Sequence, residues 1–173
     1  MTSIDIVRGL QEYELDGALT YIDGEPLGEV TTLPLFEERY VLVTPKGGPF
    51  AGEPSVAWHD AASLRLCLQD QSMQNRRILD AVFADIGVEM DVGLETNSIY
   101  AACTHVRQGG WSSIIPEVFA PTLADAAVDT FPLVAPDVSK LIGLVVHERT
   151  AQPPIVAAFW DASQAWRANL AGP

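Results

Sequence analysis

The 173-residue sequence predicts an α/β fold with mostly parallel sheets. Three observations carry that expectation. Short apolar runs bounded by Gly, Pro and polar residues alternate with helical stripes along most of the chain, the pattern of strand–helix–strand units. Residues 94–116 contain one such unit complete. The composition, 48 % hydrophobic and 19 % charged, is that of a packed domain and excludes a disordered chain.

In that unit Leu94 and Glu95 end a strand, and Thr96, Asn97 and Ser98 are short polar residues of the kind that cap helices. Ile99, Ala102, Cys103 and Val106 then recur at i, i+3, i+4 and i+7, one apolar helical face. Gly109 and Gly110 stop the helix, as residues with φ > 0 do. Trp111 to Ile115 read as a buried strand that Pro116 ends. A cap of this kind lies where a strand's carboxyl end meets a helix N-terminus. Open α/β sheets bind ligands at that edge, and free backbone N–H groups there attract anions. A cap that only caps is the commoner case.

The remaining elements follow in order. Residues 3–12 suit a helix with Thr2 or Ser3 as cap and Ile6, Val7 and Leu10 on one face. Residues 15–21 read as a strand and 23–28 as a turn around Pro26. Residues 30–35 and 39–44 are strands separated by Glu37 and Glu38, and 45–54 form a Gly/Pro loop. A single helical turn fits 58–63 and a strand fits 64–68. In the polar loop 69–74, Ser72 is placed to cap a helix with Ile78, Leu79, Val82, Phe83 and Ile86 inside, ended by Gly87. Residues 90–94 lead into the unit described above. Beyond it, 118–127 suit a short helix, and 128–134 and 141–147 are strands. Pro153 and Pro154 open a last helix over 155–170, with Ile155, Phe159, Ala162, Trp166 and Leu170 expected inside. The weakest points for a lobe boundary are 23–31 and 135–139.

Charge and motifs narrow the chemistry. The net charge of −13, from 23 acids and 10 bases, argues against a duplex-binding surface, which needs clustered Lys and Arg. No apolar run reaches the roughly 18 residues of a membrane span, and residues 1–10 lack the pattern of a signal peptide. Cys67 and Cys103 each sit in an apolar run and are expected to be buried, reduced thiols. Cys103 and His105 turn to different faces of a helix and cannot share a metal; no zinc spacing occurs, so no metal or cofactor is expected. Gly110-Trp111-Ser112-Ser113-Ile114 lacks the second glycine of a nucleophile elbow. Phosphate-loop and dinucleotide motifs are likewise missing, so the reading is of a non-enzyme. What remains is a set of polar helix caps, Thr2/Ser3, Ser72 and Thr96/Asn97/Ser98, that could surround one crevice for a small anion.

The order of these motifs resembles the effector-binding domain of LysR-type transcriptional regulators. Ile6 to Leu10 followed by Leu15-Asp16-Gly17-Ala18-Leu19 is similar to the family's helix and L-D-x-x-[IL] segment. Pro34-Leu35, Glu38 and Tyr40 to Val43 resemble its P-L-x-x-E-x-x-x-L-V strand. Gly48-Pro49-Phe50-Ala51 stands where the family usually has His-Pro-Leu-Ala. Arg76/Arg77, Leu79-Asp80 and Phe83 look like its R-x-x-[IL]-D-x-x-F helix. Glu95, Ser98, Val106, Gly109, Ile114 and Pro116 fit E-x-x-S…V-x-x-G-x-G-[IV]-x-x-[IL]-P, with Gly109-Gly110-Trp111 replacing the usual G-x-G-[IV].

The resemblance implies a type 2 periplasmic-binding-protein-like fold of two α/β lobes joined by two crossovers. It places lobe I in 1–27 and 137–173 and lobe II in 28–136. It implies a small-metabolite effector, expected to be an organic anion, held by Thr2, Ser3, Thr20, Gln69, Ser72, Gln74, Thr96, Asn97, Ser98, Trp111 and Ser112. It also implies a cytoplasmic homo-oligomer that meets DNA only through a winged helix-turn-helix domain not contained in these residues. The family's first strand, first helix and second strand are expected before Met1. Lobe I is therefore expected to be incomplete, with an uncovered sheet edge, exposed apolar surface, weakened dimers and lower stability than lobe II. A transporter's solute-binding protein, or an enzyme such as a deaminase or phosphate-ester lyase on a similar fold, are the alternatives.

Overall fold

The computed structural model describes residues 3–23, 26–123, 127–148 and 152–170. In chain order the elements are α1 (Ser3–Gln11), β1 (Gly17–Tyr21), β2 (Val30–Glu38), β3 (Tyr40–Pro45), β4 (Val56–Ala57), α2 (Trp58–Ala61), β5 (Arg65–Gln69) and α3 (Gln74–Asp85). They continue as β6 (Asp91–Thr96), α4 (Ile99–Arg107), β7 (Ser113–Pro116), a 3-10 helix (Glu117–Leu123), β8 (Val128–Val134), β9 (Lys140–His147) and α5 (Pro154–Leu170). Gly87 and Gly109 take φ values of 71° and 84° just past α3 and α4, where a left-handed residue ends a helix.

The chain divides into two compact units, 1–38 with 140–173 and 39–139. In the first, β9 lies between β1 and β2 and is antiparallel to both. The pairing places Leu19, Leu144 and Leu33 in one cross-strand row, so they share a face. On that face Leu33, Leu144, Val146 and Val156 form the core, with Leu35 and Trp160 packed against them. A Cβ at Gly143 would come 2.8 Å from the Leu33 carbonyl oxygen, so only glycine lets the strands approach here. Pro34 lacks an N–H and sits in β2, an edge strand, where its missing donor leaves no ladder bond unmade.

In the second unit β3 is antiparallel to β7 and β8, β4 is parallel to β8, and β5 is parallel to β6. A parallel bridge between Leu66 and Ser112 ties β5 to the start of β7; Cys67 N–H donates to the Ser112 carbonyl at 2.8 Å and Ser112 N–H to the Arg65 carbonyl at 2.9 Å. The sequence 94–116 thus forms its strand–helix–strand crossover, with β5 lying between the two strands it connects. Val41, Val43, Cys103, Val106, Ile115, Leu123 and Val128 make one core cluster. Trp58 packs edge-on against both Tyr40 and Phe83 in another part of the core.

Four expectations are corrected. The sheets are mixed, and most described strand pairs are antiparallel; strand–helix alternation along the sequence does not fix which distant strand pairs with which. Residues 28–38, expected in lobe II, belong to the first unit, because β2 pairs with β9 from Val30↔His147 to Glu38↔Lys140. The helix expected over 118–127 is a 3-10 helix ending at Leu123, and 124–126 lie outside the described residues. In α5 the face turned inward is Val156, Trp160 and Ser163, while Ile155, Phe159, Ala162 and Trp166 are exposed. The side chain of Leu170 lies outside the description.

Candidate functional site

Because β5 and β6 are parallel and in register at Gln69↔Thr96, both end at one edge of the second unit. Asp70 N–H donates to the Thr96 carbonyl at 2.9 Å and holds the two exits together. From this edge the chain turns through 70–73 into α3 and through 97–98 into α4, so two helix N-termini open side by side. They are finished differently. At α4 the Ser98 hydroxyl accepts from Ala101 N–H at 3.4 Å, and Ser98 N–H donates to the Thr96 hydroxyl at 3.3 Å. At α3 the N-cap is Met73, which offers no side-chain acceptor. The first-turn N–H groups of α3 are therefore the less satisfied set, and their partial positive charge favours an anion.

Side chains beneath the edge are tightly bonded. Asn75, 7 % exposed, donates through Nδ2 to Gln69 Oε1 at 2.8 Å, and its Oδ1 is buried with no partner. Arg76 donates to the Gln69 carbonyl at 3.1 Å, to Asp80 at 2.7 Å and to Glu95 at 2.5 Å. Burial works against the Arg76 charge, but the hydrogen bonds to Asp80 and Glu95 outweigh it and hold its pKa above the usual value. This guanidinium is already neutralised by two carboxylates, so it braces the edge.

The structure brings together Gln69, Ser72, Gln74, Thr96, Asn97 and Ser98 at the β5–β6 edge and the turns leaving it. The local structure corrects one expectation, the cap at Ser72. Ser72 is not a cap: its hydroxyl donates to Asp70 at 2.5 Å and its N–H at 2.9 Å, because Asp70 closes a tight turn before α3 can begin. Gln74 Oε1 accepts from Arg77 Nε at 3.0 Å. Trp111 and Ser112 lie elsewhere. Ser112 is a buried bridge residue opposite Leu66, three residues short of the Gln69 end, roughly 10 Å along the strand. Trp111 stacks under the Arg65 guanidinium, 4.2 Å from ring centroid to Cζ, and against Gly93, where a Cβ would meet the ring at 2.9 Å. Thr20 is buried on β1 in the first unit, on the face of the strand opposite Leu19. Ser3 begins α1, its side chain outside the description, and Thr2 lies outside the described residues.

Sequence reasoning missed Asn75 and the Arg76–Glu95 pair. The Arg76–Asp80 spacing at i, i+4 was a readable signal; the pairing to Glu95 depends on strand order and was not. Among the described residues no group of three His, Cys, Asp or Glu could hold a metal, and no helix is long and apolar enough to cross a membrane.

Known proteins are similar to this chain in sequence and in fold. The family model described as LysR substrate binding domain matches residues 1–168, and the chain belongs to that family. A probable hydrogen peroxide-inducible genes activator of Mycobacterium avium is 30 % identical over 152 residues, covering 83 % of this chain and 46 % of that protein. The effector-binding domain of QuiR in complex with shikimate superposes with a TM-score of 0.82 at 22 % identity, over 98 % of this chain and 79 % of that one. The regulatory domain of Synechocystis CcmR in complex with 2-PG gives 0.80 at 15 % identity, over 95 % and 79 %. At these identities the structural likeness shows the shared type 2 periplasmic-binding-like fold. The chain spans about half the length of the curated relatives it matches.

Proposed function

We propose that this chain is the sensory part of a LysR-type transcription regulator, and that a small organic anion bound at the β5–β6 edge biases how the whole regulator engages DNA. The observation that carries the reading is the family match over 1–168. The paired N-termini of α3 and α4 supply the chemistry: hydroxyls of Thr96 and Ser98, and uncapped N–H groups at Gln74 to Arg76, in place of a free cation. Thr20, Trp111 and Ser112, which lie away from the β5–β6 edge, are left out of the proposed anion donors. Shikimate and 2-PG are the molecules named with two structures of similar fold, and shikimate carries a carboxylate. The regulator is proposed to be a cytoplasmic homo-oligomer whose DNA-binding domain lies in the part of its relatives that this chain does not span. This non-enzymatic reading is favoured by relatives that are named as regulators.

A thiol sensor is the second reading that the M. avium relative raises. Cys67 and Cys103 do not favour it: both are buried, and burial pushes both thiols above their usual pKa, which keeps them protonated and unreactive. Calorimetry with a panel of small hydroxy-carboxylates and phospho-carboxylates tests the main reading. A bound member of the panel should lose about 1 kcal/mol or more on Ser98→Ala, the scale of a hydrogen bond to a charged group. Unchanged affinity would remove Ser98 from the site, and no binding by any anion of the panel would remove the anion.

A further inference from the structure

The first-turn N–H groups of α3 and α4 suit a carboxylate, yet the formal charge at the β5–β6 edge is not positive. Among residues 69–80 and 95–98 the carboxylates Asp70, Asp80 and Glu95 outnumber the guanidiniums Arg76 and Arg77. Arg76 is spent on Asp80 and Glu95, and Arg77 bonds Gln74. Asp70 has no ion-pair partner among the described residues. It is fixed all the same. Its own N–H is held by the Thr96 carbonyl at 2.9 Å, and its Oδ1 accepts both the N–H and the hydroxyl of Ser72. Its Oδ2 takes neither of them. The bonds from Ser72 lower the Asp70 pKa, so the group stays ionised at neutral pH. A second acceptor lies in the first turn of α3. Asn75 is 7 % exposed and turns its amide toward the end of β5, where Nδ2 donates to Gln69 Oε1 at 2.8 Å. Its Oδ1 is buried there with no donor. A buried acceptor in that state is costly, and only an N–H or O–H relieves it.

We propose that the effector is a zwitterion, an α-amino acid whose carboxylate sits on the N-termini of α3 and α4 and whose ammonium is taken by Asp70 and Asn75. This keeps the carboxylate of the effector reading above, on which it rests, and adds a cation beside it. Two arguments select the cation. A plain anion brought to this edge meets the fixed charge of Asp70. An ammonium next to the carboxylate turns that repulsion into attraction. The second argument is donor number. An ammonium carries three N–H groups and no lone pair, so it serves Asp70 Oδ2 and the orphaned Asn75 Oδ1 together, whereas a hydroxyl brings one donor.

Calorimetry on the 173-residue chain tests this with matched pairs, an L-α-amino acid beside the 2-hydroxy acid of the same side chain, from alanine and lactate to phenylalanine and phenyllactate. In at least one pair the amino acid should bind about tenfold more tightly or better, the scale of a hydrogen bond between charged groups. Asp70→Asn keeps an acceptor for Ser72 and removes the charge. It should abolish the preference: the amino acid weakens by about tenfold, and the hydroxy acid gains about threefold. That gain is a result that a misfolded variant does not give. Ser98→Ala should weaken both members of the pair alike, because it touches only the carboxylate. A hydroxy acid that binds as tightly as its amino acid overturns the zwitterion, and so does a preference that Asp70→Asn leaves intact. In either case a retained Ser98→Ala response keeps the carboxylate site. Pairs in which neither member binds overturn both readings.

Discussion

Helices α4 and α5 were legible from the same pattern and came out opposite. In α4 the stripe Ala102, Cys103 and Val106 is 1 %, 2 % and 0 % exposed, between β3, β5 and their neighbours. In α5 the corresponding stripe faces outward, and the sheet takes Val156, Trp160 and Ser163. The difference lies in what surrounds the stripe. Around α4 stand Thr104, His105, Arg107 and Gln108, so only one face can go inside. Around α5 stand five alanines and two tryptophans, so two faces compete and periodicity cannot choose. A stripe locates a contact surface; the polar residues opposite it say which way the surface turns.

The sharpest way to break this comparison is to remove one anchor from each helix. Val106→Ala should cost roughly 2 kcal/mol in urea unfolding, from lost methyl groups and the cavity left behind. Phe159→Ala, on an exposed face, should cost about 0.5 kcal/mol or less. Equal losses would mean that α5 is as enclosed as α4. Next in size is thiol reactivity. Cys67 and Cys103 should resist a disulfide reagent until the second unit unfolds, whereas the variant Ala162→Cys, at an exposed position, should react at once.

Two smaller effects are pH-linked, one in each unit. In the first unit, burial raises the pKa of Glu38, partly offset by the hydrogen bond from Tyr21 at 2.5 Å. A raised carboxyl binds its proton more tightly in the folded state. Its contribution is present below the unfolded pKa and is lost as pH rises through the folded one. Glu38→Gln should therefore raise the melting temperature at pH 7, with the gain shrinking as pH falls toward 4. In the second unit the two hydrogen bonds from Ser72 lower the pKa of Asp70. That contribution is present above the unfolded pKa and fades as pH falls through the folded one. Ser72→Ala should move the Asp70 titration upward by NMR with little change in melting temperature.

The sequence was most informative where a local rule had no rival. Ser98 caps α4, Gly87 and Gly109 follow helix ends, and the polar residues from Gln69 to Ser98 converge on one edge because parallel strands must end together. It was silent where partners are distant. At Ser72 there was a local rival instead: Asp70, two residues earlier, takes the hydroxyl before it can cap α3. Nothing near Trp111 shows that Arg65 and Gly93 form its seat. The antiparallel course of β9 between β1 and β2 is likewise a property of the assembled sheet.

That central place of β9 also sets an order of events. Leu19 and Leu33 both wait for Leu144, more than a hundred residues later in the chain. The second unit is contiguous and has all its strands by Val134. A ribosome making this protein therefore releases one unit able to condense at once, while β1 and β2 remain unpaired until β9 arrives. High contact order slows such closure, and the waiting strands are the stretch of the nascent chain most in need of a chaperone.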